Sequence, residues 1–462
     1  MRWVLIALAL VAYGAGAAPR TNPHDVLASY VAEPDTSFSW QVHAHYSVHG
    51  AEIVELIMHS QTWHGILWKH QLYLIKPNNL PEGVHQGLLA IGGGHWEDRY
   101  ATETKPDLPD DTQMFVQMAR SAGTVVAVVD QVPFQPLFHR REDDLIAYTF
   151  QRYLQTGDPT WPLLLPMVNS AVKAMDAVQQ FTARQWGMSL RRFTVLGGSK
   201  RGWTTWLTGA VDPRAAALVP VVIDALNFKA HMPYQTTVWG APSAALEPFT
   251  KLHLLKVLAS STKQGRALRE IVDPYSYRKR FTQPKLIVVG TNDHYFPLDS
   301  LNLYWKQLPR PKYVLYLPNN RHHIEDFRRL VPAVAALTRA SAGGTPMPKL
   351  VWEYREEPKA LRLCVKANPS PSRVLAWTAH SKNSDFRDEK FSSQPVAPHH
   401  GIFVFDLPKP ASGYAAVFAE SFFGQGDARF PLSTNVRLTN SSGHPPSQLT
   451  AIRGQRGVCP RD

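Results

Sequence analysis

A serine hydroxyl attacks a carbonyl only when a neighbouring base takes its proton and a third group holds that base in place. Three residues of this sequence stand in an order that suits such work. Gly197-Gly198-Ser199-Lys200-Arg201-Gly202 follows the apolar run Phe193 to Leu196 and precedes a helical pattern. A serine on so sharp a strand-to-helix turn projects its hydroxyl above the sheet edge, and the backbone N–H of Lys200 then faces a developing oxyanion. Gly290-Thr291-Asn292-Asp293 follows the run Leu286 to Val289, and Leu317-Pro318-Asn319-Asn320-Arg321-His322 follows the run Tyr313 to Leu317. Asp293 lies 94 residues after Ser199, and His322 a further 29 on, so each occupies its own loop. His322 is the expected base, and Asp293 the group that orients its imidazole and stabilises the charged form.

Each assignment has competitors. The common elbow is G-x-S-x-G, whereas here Arg201 takes the fifth place and the glycine comes one later. A Gly-Gly-Ser turn is also ordinary chain punctuation. His323 adjoins His322, and Asp130 and Asp224 also end apolar runs. His322-His323 with Glu325 and Asp326 is a set of metal-ligating types, yet neither H-E-x-x-H nor a cysteine ligand pattern is present, so no metal is expected. Gly92-Gly93-Gly94 follows an earlier strand. Gly93 and Gly94 are candidates for a second oxyanion donor, against the alternative of a flexible turn. Lys200 and Arg201 beside the serine have two readings. They recognise a substrate carboxylate or phosphate, with Arg201 the substrate-binding candidate, or Arg201 pairs with a buried carboxylate such as Asp212 or Asp224 and braces the site.

These loops need a sheet to hold them. Glu52 to Ser60, Trp68 to Ile75, Gly87 to Ile91 and Thr124 to Val129 read as strands, as do Phe193 to Leu196, Ala216 to Ile223, Leu286 to Val289 and Tyr313 to Leu317. Helical patterns lie near 112–121, 143–155 and 165–186, and another begins at or just after Ser199. Short continuous apolar runs between helices imply a mostly parallel sheet covered on both faces. Parallel strands place the three loops on one edge, and Ser…Asp…His is the chain order of α/β-hydrolases. The stretch 227–284 breaks the rhythm and reads as an insertion over the sheet. Ser341-Ala342-Gly343-Gly344-Thr345-Pro346-Met347-Pro348 ends the last helix as a linker. Beyond it Leu361 to Val365, Val374 to Trp377, Ile402 to Phe405 and Tyr414 to Phe418 read as short strands with no helix between them. The expected organisation is a leader over 1–17, an α/β-hydrolase-like domain over 18–341 and a small C-terminal β-sandwich over 349–462.

The leader has a basic start, an apolar run from Trp3 to Ala12 and the A-x-A sequence Ala15-Gly16-Ala17, which is the pattern of a secretory signal peptide. The run is too short for a membrane anchor, which takes roughly 20 residues. The expected location is therefore secreted or periplasmic, and the protein is not expected to be integral to a membrane. In an exported chain the only two cysteines, Cys364 and Cys459, suggest one disulfide across 95 residues, against two buried thiols. The chain has 462 residues, 44% hydrophobic and 19% charged, which excludes a mainly disordered protein. Its 49 Lys+Arg against 37 Asp+Glu give +12. Scattered basic residues without a nucleic-acid motif exclude that partner and leave, at most, weak contact with anionic surfaces.

The run Gly197 to Trp206 resembles the signature of the PhoPQ-activated pathogenicity-related proteins (PqaA type). Further blocks agree: Gln131-Val132-Pro133, Gln135-Pro136-Leu137, Thr156 to Pro162, Pro166-Met167-Val168, Ala174 to Ala177, Val222-Ile223-Asp224 and Gly290 to Asp293. The resemblance runs from about residue 25 into the C-terminal module. It implies an exported α/β-hydrolase-like protein that, in enteric bacteria, is tied to virulence and resistance to antimicrobial peptides. By position it implies Ser199 as nucleophile, Asp293 as acid and His322 as base, and it supplies neither a cofactor nor a substrate. Phe134 and Arg321 depart from the family's pattern, and Arg321 is placed to lower the imidazole pKa by like charge. The expected function is a secreted serine hydrolase cleaving an ester or amide of a small molecule or peptide. The alternative is a non-catalytic binding or signalling protein on the same scaffold.

Overall fold

A computed structural model describes residues 25–103, 108–443 and 450–460, so the expected leader lies outside the described residues. The strands in chain order are β1 (Ser39–Val48), β2 (Ala51–Trp63), β3 (Ile66–Pro77), β4 (Gln86–Ile91), β5 (Val126–Val129), β6 (Arg192–Gly198), β7 (Ala215–Val221), β8 (Lys285–Gly290) and β9 (Lys312–Leu317). They lie side by side as β1-β2-β3-β5-β4-β6-β7-β8-β9. From β5 to β9 every pairing is parallel, while β1, β2 and β3 form an antiparallel meander that joins through β3 and β5. The fold is thus mixed α/β with a largely parallel, α/β-hydrolase-like central sheet.

Alternation along the strands divides the core into two layers. Leu89, Ile91, Ala127, Val129, Ile287 and Val289 face one layer. Leu88, Ala90, Val126, Val128, Leu286 and Val288 face the other. Helices α3 (Glu142–Thr156), α4 (Leu164–Trp186) and α5 (Lys200–Val211) cover the first face with buried Phe150, Met175, Phe181, Trp203 and Trp206. Helices α2 (Thr112–Ala122) and α10 (Phe327–Ser341) cover the second with Phe115, Met118, Leu330, Val334 and Leu337. Burial on both faces explains why these strands read as unbroken apolar runs. The short α1 (Val26–Ala32) packs on α4 and α5. Between β7 and β8 the chain forms α6 (Phe228–Trp239), α7 (Glu247–Thr250), α8 (Leu254–Ala259) and α9 (Lys263–Val272).

The C-terminal strands are β10 (Lys349–Glu356), β11 (Ala360–Asn368), β12 (Arg373–Ser381), β13 (Ser392–Pro395), β14 (Pro398–His399), β15 (Ile402–Pro408), β16 (Tyr414–Phe423), β17 (Phe430–Ser433) and β18 (Arg437–Asn440). β10-β11-β15-β14 forms a separate antiparallel sheet, whereas β17-β16-β12-β13 continues the central sheet beyond β9, with β18 beside β16. The join is narrow: Ser433 pairs with Val314, and Ser433 Oγ accepts from the Tyr316 N–H at 3.0 Å. Arg329 of α10 reinforces it, donating through Nε to the buried Glu420 of β16 at 2.6 Å. Cys364 of β11 and Cys459 form a disulfide that pins the last described residues onto the separate sheet. Among the described residues no helix is long and apolar enough to cross a membrane.

Candidate active site

The turn between β6 and α5 holds Ser199 at φ 54° and ψ −126°, a conformation that side-chain-bearing residues rarely adopt. The turn is closed by the Ser199 N–H donating to the Val221 carbonyl at 2.8 Å and the Trp203 N–H donating to the Ser199 carbonyl at 3.0 Å. A Cβ at Gly197 would stand 2.4 Å from the Arg201 carbonyl oxygen, and one at Gly202 2.7 Å from the Ile223 side chain and 2.8 Å from the Gly197 carbonyl oxygen. The late glycine is therefore a packing requirement: helix α5 crosses β6 and β7 so closely that position 202 has no room for a side chain. A Cβ at Gly198 meets nothing within 4 Å.

Ser199, His322 and Asp293 meet at the carboxyl edge of the sheet. The Ser199 Oγ lies 2.8 Å from His322 Nε2, and His322 Nδ1 lies 2.9 and 3.1 Å from the two Asp293 carboxylate oxygens. Asp293 is buried and His322 is 14% exposed in its side chain, so the array is largely shielded yet reachable. The Tyr295 N–H also donates to Asp293 Oδ1 at 2.7 Å, which fixes the carboxylate, and the Tyr295 ring covers the imidazole at 4.1 Å between centroids. His323 is exposed. Asp326 accepts from the Arg329 N–H at the start of α10, and Glu325 is exposed. Asp224 is buried and accepts from the Tyr304 hydroxyl at 2.6 Å. Burial, with the charges of Asp293 and Asp299 nearby, pushes its carboxyl up to about 8. The backbone carbonyl of Asp130 accepts from His70.

The loops bearing the acid and the base are zipped together. The Thr291 N–H donates to the Leu317 carbonyl, the Asn292 N–H to the Asn320 carbonyl, and the Asn319 N–H to Thr291 Oγ1 at 2.7 Å. The stretch between β12 and β13 then clamps both. Asn292 Nδ2 donates to the carbonyls of Phe386, Arg387 and Glu389, and Asn319 exchanges a reciprocal pair of bonds with the backbone of Phe391. The C-terminal strands thus buttress the residues next to Asp293 and His322, a role that nothing in the local sequence announces.

Lys200 and Arg201 do not stand free to hold a substrate anion. Arg201 donates through Nη1 and Nη2 to the two Glu142 carboxylate oxygens at 2.8 and 2.7 Å, and through Nε to the Val132 carbonyl at 2.6 Å. The Lys200 ammonium pairs with Glu142 at 2.8 Å and Asp143 at 3.1 Å. The bracing reading of Arg201 describes this geometry, but with a different partner: Asp212 pairs with Arg214, and Asp224 with Tyr304. Arg321 is 69% exposed and lies 3.4 Å from Asp388. Phe134 packs between Trp68 and Trp96.

Glu142 also ties in the glycine loop. Gln135 Nε2 donates to the Gly94 carbonyl and to Glu142, both at 2.6 Å, and the Gln131 N–H donates to the Gly93 carbonyl at 2.6 Å. A Cβ at Gly93 would lie 2.9 Å from Arg201 Nη2. The Gln131–Pro133 and Gln135–Leu137 blocks therefore hold Gly93 and Gly94 against the serine's turn. Lys200 begins α5, where the first N–H groups have no intrahelical acceptor and carry the positive end of the helix dipole.

Burial disfavours the charged form of Glu142, but the hydrogen bonds and charges of Arg201 and Lys200 outweigh it and hold the carboxyl at about 2 instead of 4.5. A depressed carboxyl contributes stability that is complete above its unfolded pKa and is lost as pH falls through the folded value. Glu142→Gln is therefore expected to make the fall in thermal stability between about pH 5 and pH 2 shallower. With the Glu142 side chain 41% exposed, the loss at pH 7 is on the order of 1 kcal/mol. Melting curves across that range check both effects.

A second Ser–His pair, Ser60 Oγ to His70 Nε2 at 3.0 Å, is wholly buried, and desolvation lowers the His70 pKa to about 4. It is a neutral core contact. Beside Ser199 lies a cavity of about 50 Å³, lined by Asp143 and Lys200 and by apolar side chains of α5 to α8.

Among known proteins, the autocrine proliferation repressor protein A of Dictyostelium discoideum is 30% identical over 433 residues, which cover 86% of this chain and 85% of that one. Acetyl xylan esterase 1 from Thermoanaerobacterium sp. JW/SL YS485 overlaps 68% of this chain and 93% of its own at 16% identity and a TM-score of 0.47. An S-formylglutathione hydrolase from Agrobacterium tumefaciens overlaps 66% of this chain and 99% of its own at 14% identity and a TM-score of 0.42. The model of the PhoPQ-activated pathogenicity-related proteins matches residues 27–387, and the chain belongs to that family.

Proposed function

We propose that this protein is an exported serine hydrolase that cleaves an ester or amide through an acyl-enzyme. The observation that carries the reading is the unbroken relay from Ser199 Oγ to His322 Nε2 and from His322 Nδ1 to Asp293, within 3.1 Å at every step. The Ser199 hydroxyl donates to the neutral imidazole, whose Nδ1–H donates to the carboxylate. Attack forms the Oγ–carbon bond as the proton passes to Nε2. The imidazolium, stabilised by Asp293, returns that proton to the leaving oxygen or nitrogen as its bond to carbon breaks. Water, deprotonated by the same imidazole, then releases the acid and restores Ser199.

In this reading the Lys200 N–H, with an N–H of Gly93 or Gly94, receives the oxyanion; one such donor is worth about 3 kcal/mol in the transition state. The paired charges of Lys200 and Arg201 favour a neutral substrate at the reacting centre. The disulfide between Cys364 and Cys459 supports an oxidising, extracytoplasmic location. Mixing enzyme with excess p-nitrophenyl acetate tests the reading: a burst of p-nitrophenol equal to the enzyme concentration, followed by slower turnover, is expected. Release no faster than in buffer contradicts it.

A further inference from the structure

The cavity beside Ser199 is small and mostly apolar. Its lining includes Trp203, Ile223, Phe228, Met232, Phe249 and Leu258, and its polar residues are Asp143, Ser199, Lys200 and Tyr295. Lys200 and Asp143 are paired with each other at 3.1 Å, so they offer the cavity no free charge. Trp203 is held by its indole N–H donating to the Val272 carbonyl and by edge contacts with Phe150 at 5.9 Å and Phe228 at 5.3 Å. The volume, about 50 Å³, admits roughly three to five groups the size of a water or methylene.

We infer that this cavity is the acyl pocket of the enzyme and that it restricts substrates to esters of uncharged acyl groups of about two to four carbons. The inference rests on reading Ser199 as the nucleophile.

Placement decides which half of the substrate enters. The leaving group must lie within reach of His322 Nε2 to receive its proton. Ser199 and Lys200 line the cavity, and so does Tyr295, whose ring covers the imidazole. In this assignment, when Oγ bonds to the carbonyl carbon, the acyl substituent points away from the departing oxygen and into the cavity that Ser199 lines, with the oxyanion near the Lys200 N–H. The alcohol then leaves with the proton from His322 on the solvent side. A carboxylated acyl group would lose its hydration in the cavity and find no unpaired cation there, which disfavours it. Longer chains meet side chains of α6 to α8, the helices inserted between β7 and β8. That insertion therefore acts as a ruler for acyl length.

The test uses the full chain and p-nitrophenyl acetate, propionate, butyrate, hexanoate and octanoate. A parallel series of alkylphosphonofluoridates, from methyl to octyl, reports acyl fit at Ser199 without requiring turnover. kcat/KM and inactivation rate are expected to peak within the first three members and to fall about tenfold or more at hexanoate or hexyl, since each ill-fitting methylene costs about that factor. Leu258→Ala, paired with Leu255→Ala, is expected to move the peak to longer chains, and Ala225→Leu to narrow it to acetate. Chain-length ratios within one variant, scaled to its probe-reactive fraction, are independent of how much of that variant folds. Octanoate handled as well as butyrate by probe-reactive wild type, or profiles unmoved in both variants, overturn the acyl pocket alone. Absence of turnover together with absence of labelling by every probe overturns the hydrolase reading and the pocket with it.

Discussion

Ser199→Ala is expected to lower kcat on an activated ester by about 10⁴-fold or more while leaving the fold intact. The magnitude follows from what the side chain does in the proposed cycle: without Oγ no acyl-enzyme forms, and the remaining route is direct attack by water, assisted only by the backbone donors and binding. The turn should survive, because its φ of 54° is held by the Gly197 and Gly202 contacts and by backbone bonds of residue 199, none of which uses the hydroxyl. Ester hydrolysis followed beside near-ultraviolet circular dichroism separates loss of chemistry from loss of structure. A variant retaining more than about a tenth of the wild-type rate would place the reaction elsewhere.

Asp293→Asn is the second large effect, expected at about 10⁴-fold in kcat. The carboxylate accepts from both His322 Nδ1 and the Tyr295 N–H. An amide keeps the size and can still satisfy Tyr295 through its oxygen. Its NH₂ group, however, favours an unprotonated Nδ1, which moves the ring proton to Nε2 and removes the base that Ser199 needs. The imidazolium formed during attack also loses its counter-charge. Steady-state kinetics on the same ester measure the loss, and histidine nuclear magnetic resonance shows the change of tautomer directly. A loss confined to KM would mean that Asp293 shapes binding rather than proton transfer.

Much of this site was legible because its residues end strands whose own sequences are distinctive. Val195, Ile287 and Val314 lie in continuous apolar runs, and parallel strands under helices must be apolar on both faces. The loops after those runs hold Ser199, Asp293 and His322, and parallel order alone brings such loops to one edge.

What was not legible depends on pairing between distant segments. The sequence suggests a buried carboxylate such as Asp212 or Asp224 as the partner of Arg201, yet the partner is Glu142, 59 residues upstream, because α3 runs its acidic first turn past the elbow. An ion pair leaves no periodicity from which to infer it. The same holds for the clamp of Asn292 and Asn319 on residues 386–391, which uses backbone carbonyls that any sequence supplies. The union of β9 with β17 also escapes local reading, since one residue pair, Val314 with Ser433, makes the join. Short runs with no helix between them mark the C-terminal strands without saying which complete the separate sheet and which extend the central one.

The most direct test of the account is covalent labelling of the purified protein with a fluorophosphonate, followed by peptide mapping. One adduct per chain on Ser199, absent from Ser199→Ala and greatly slowed in His322→Ala, is the predicted result. A folded protein that acquires no adduct, or acquires it on a different serine, contradicts the assignment of Ser199 as an activated nucleophile.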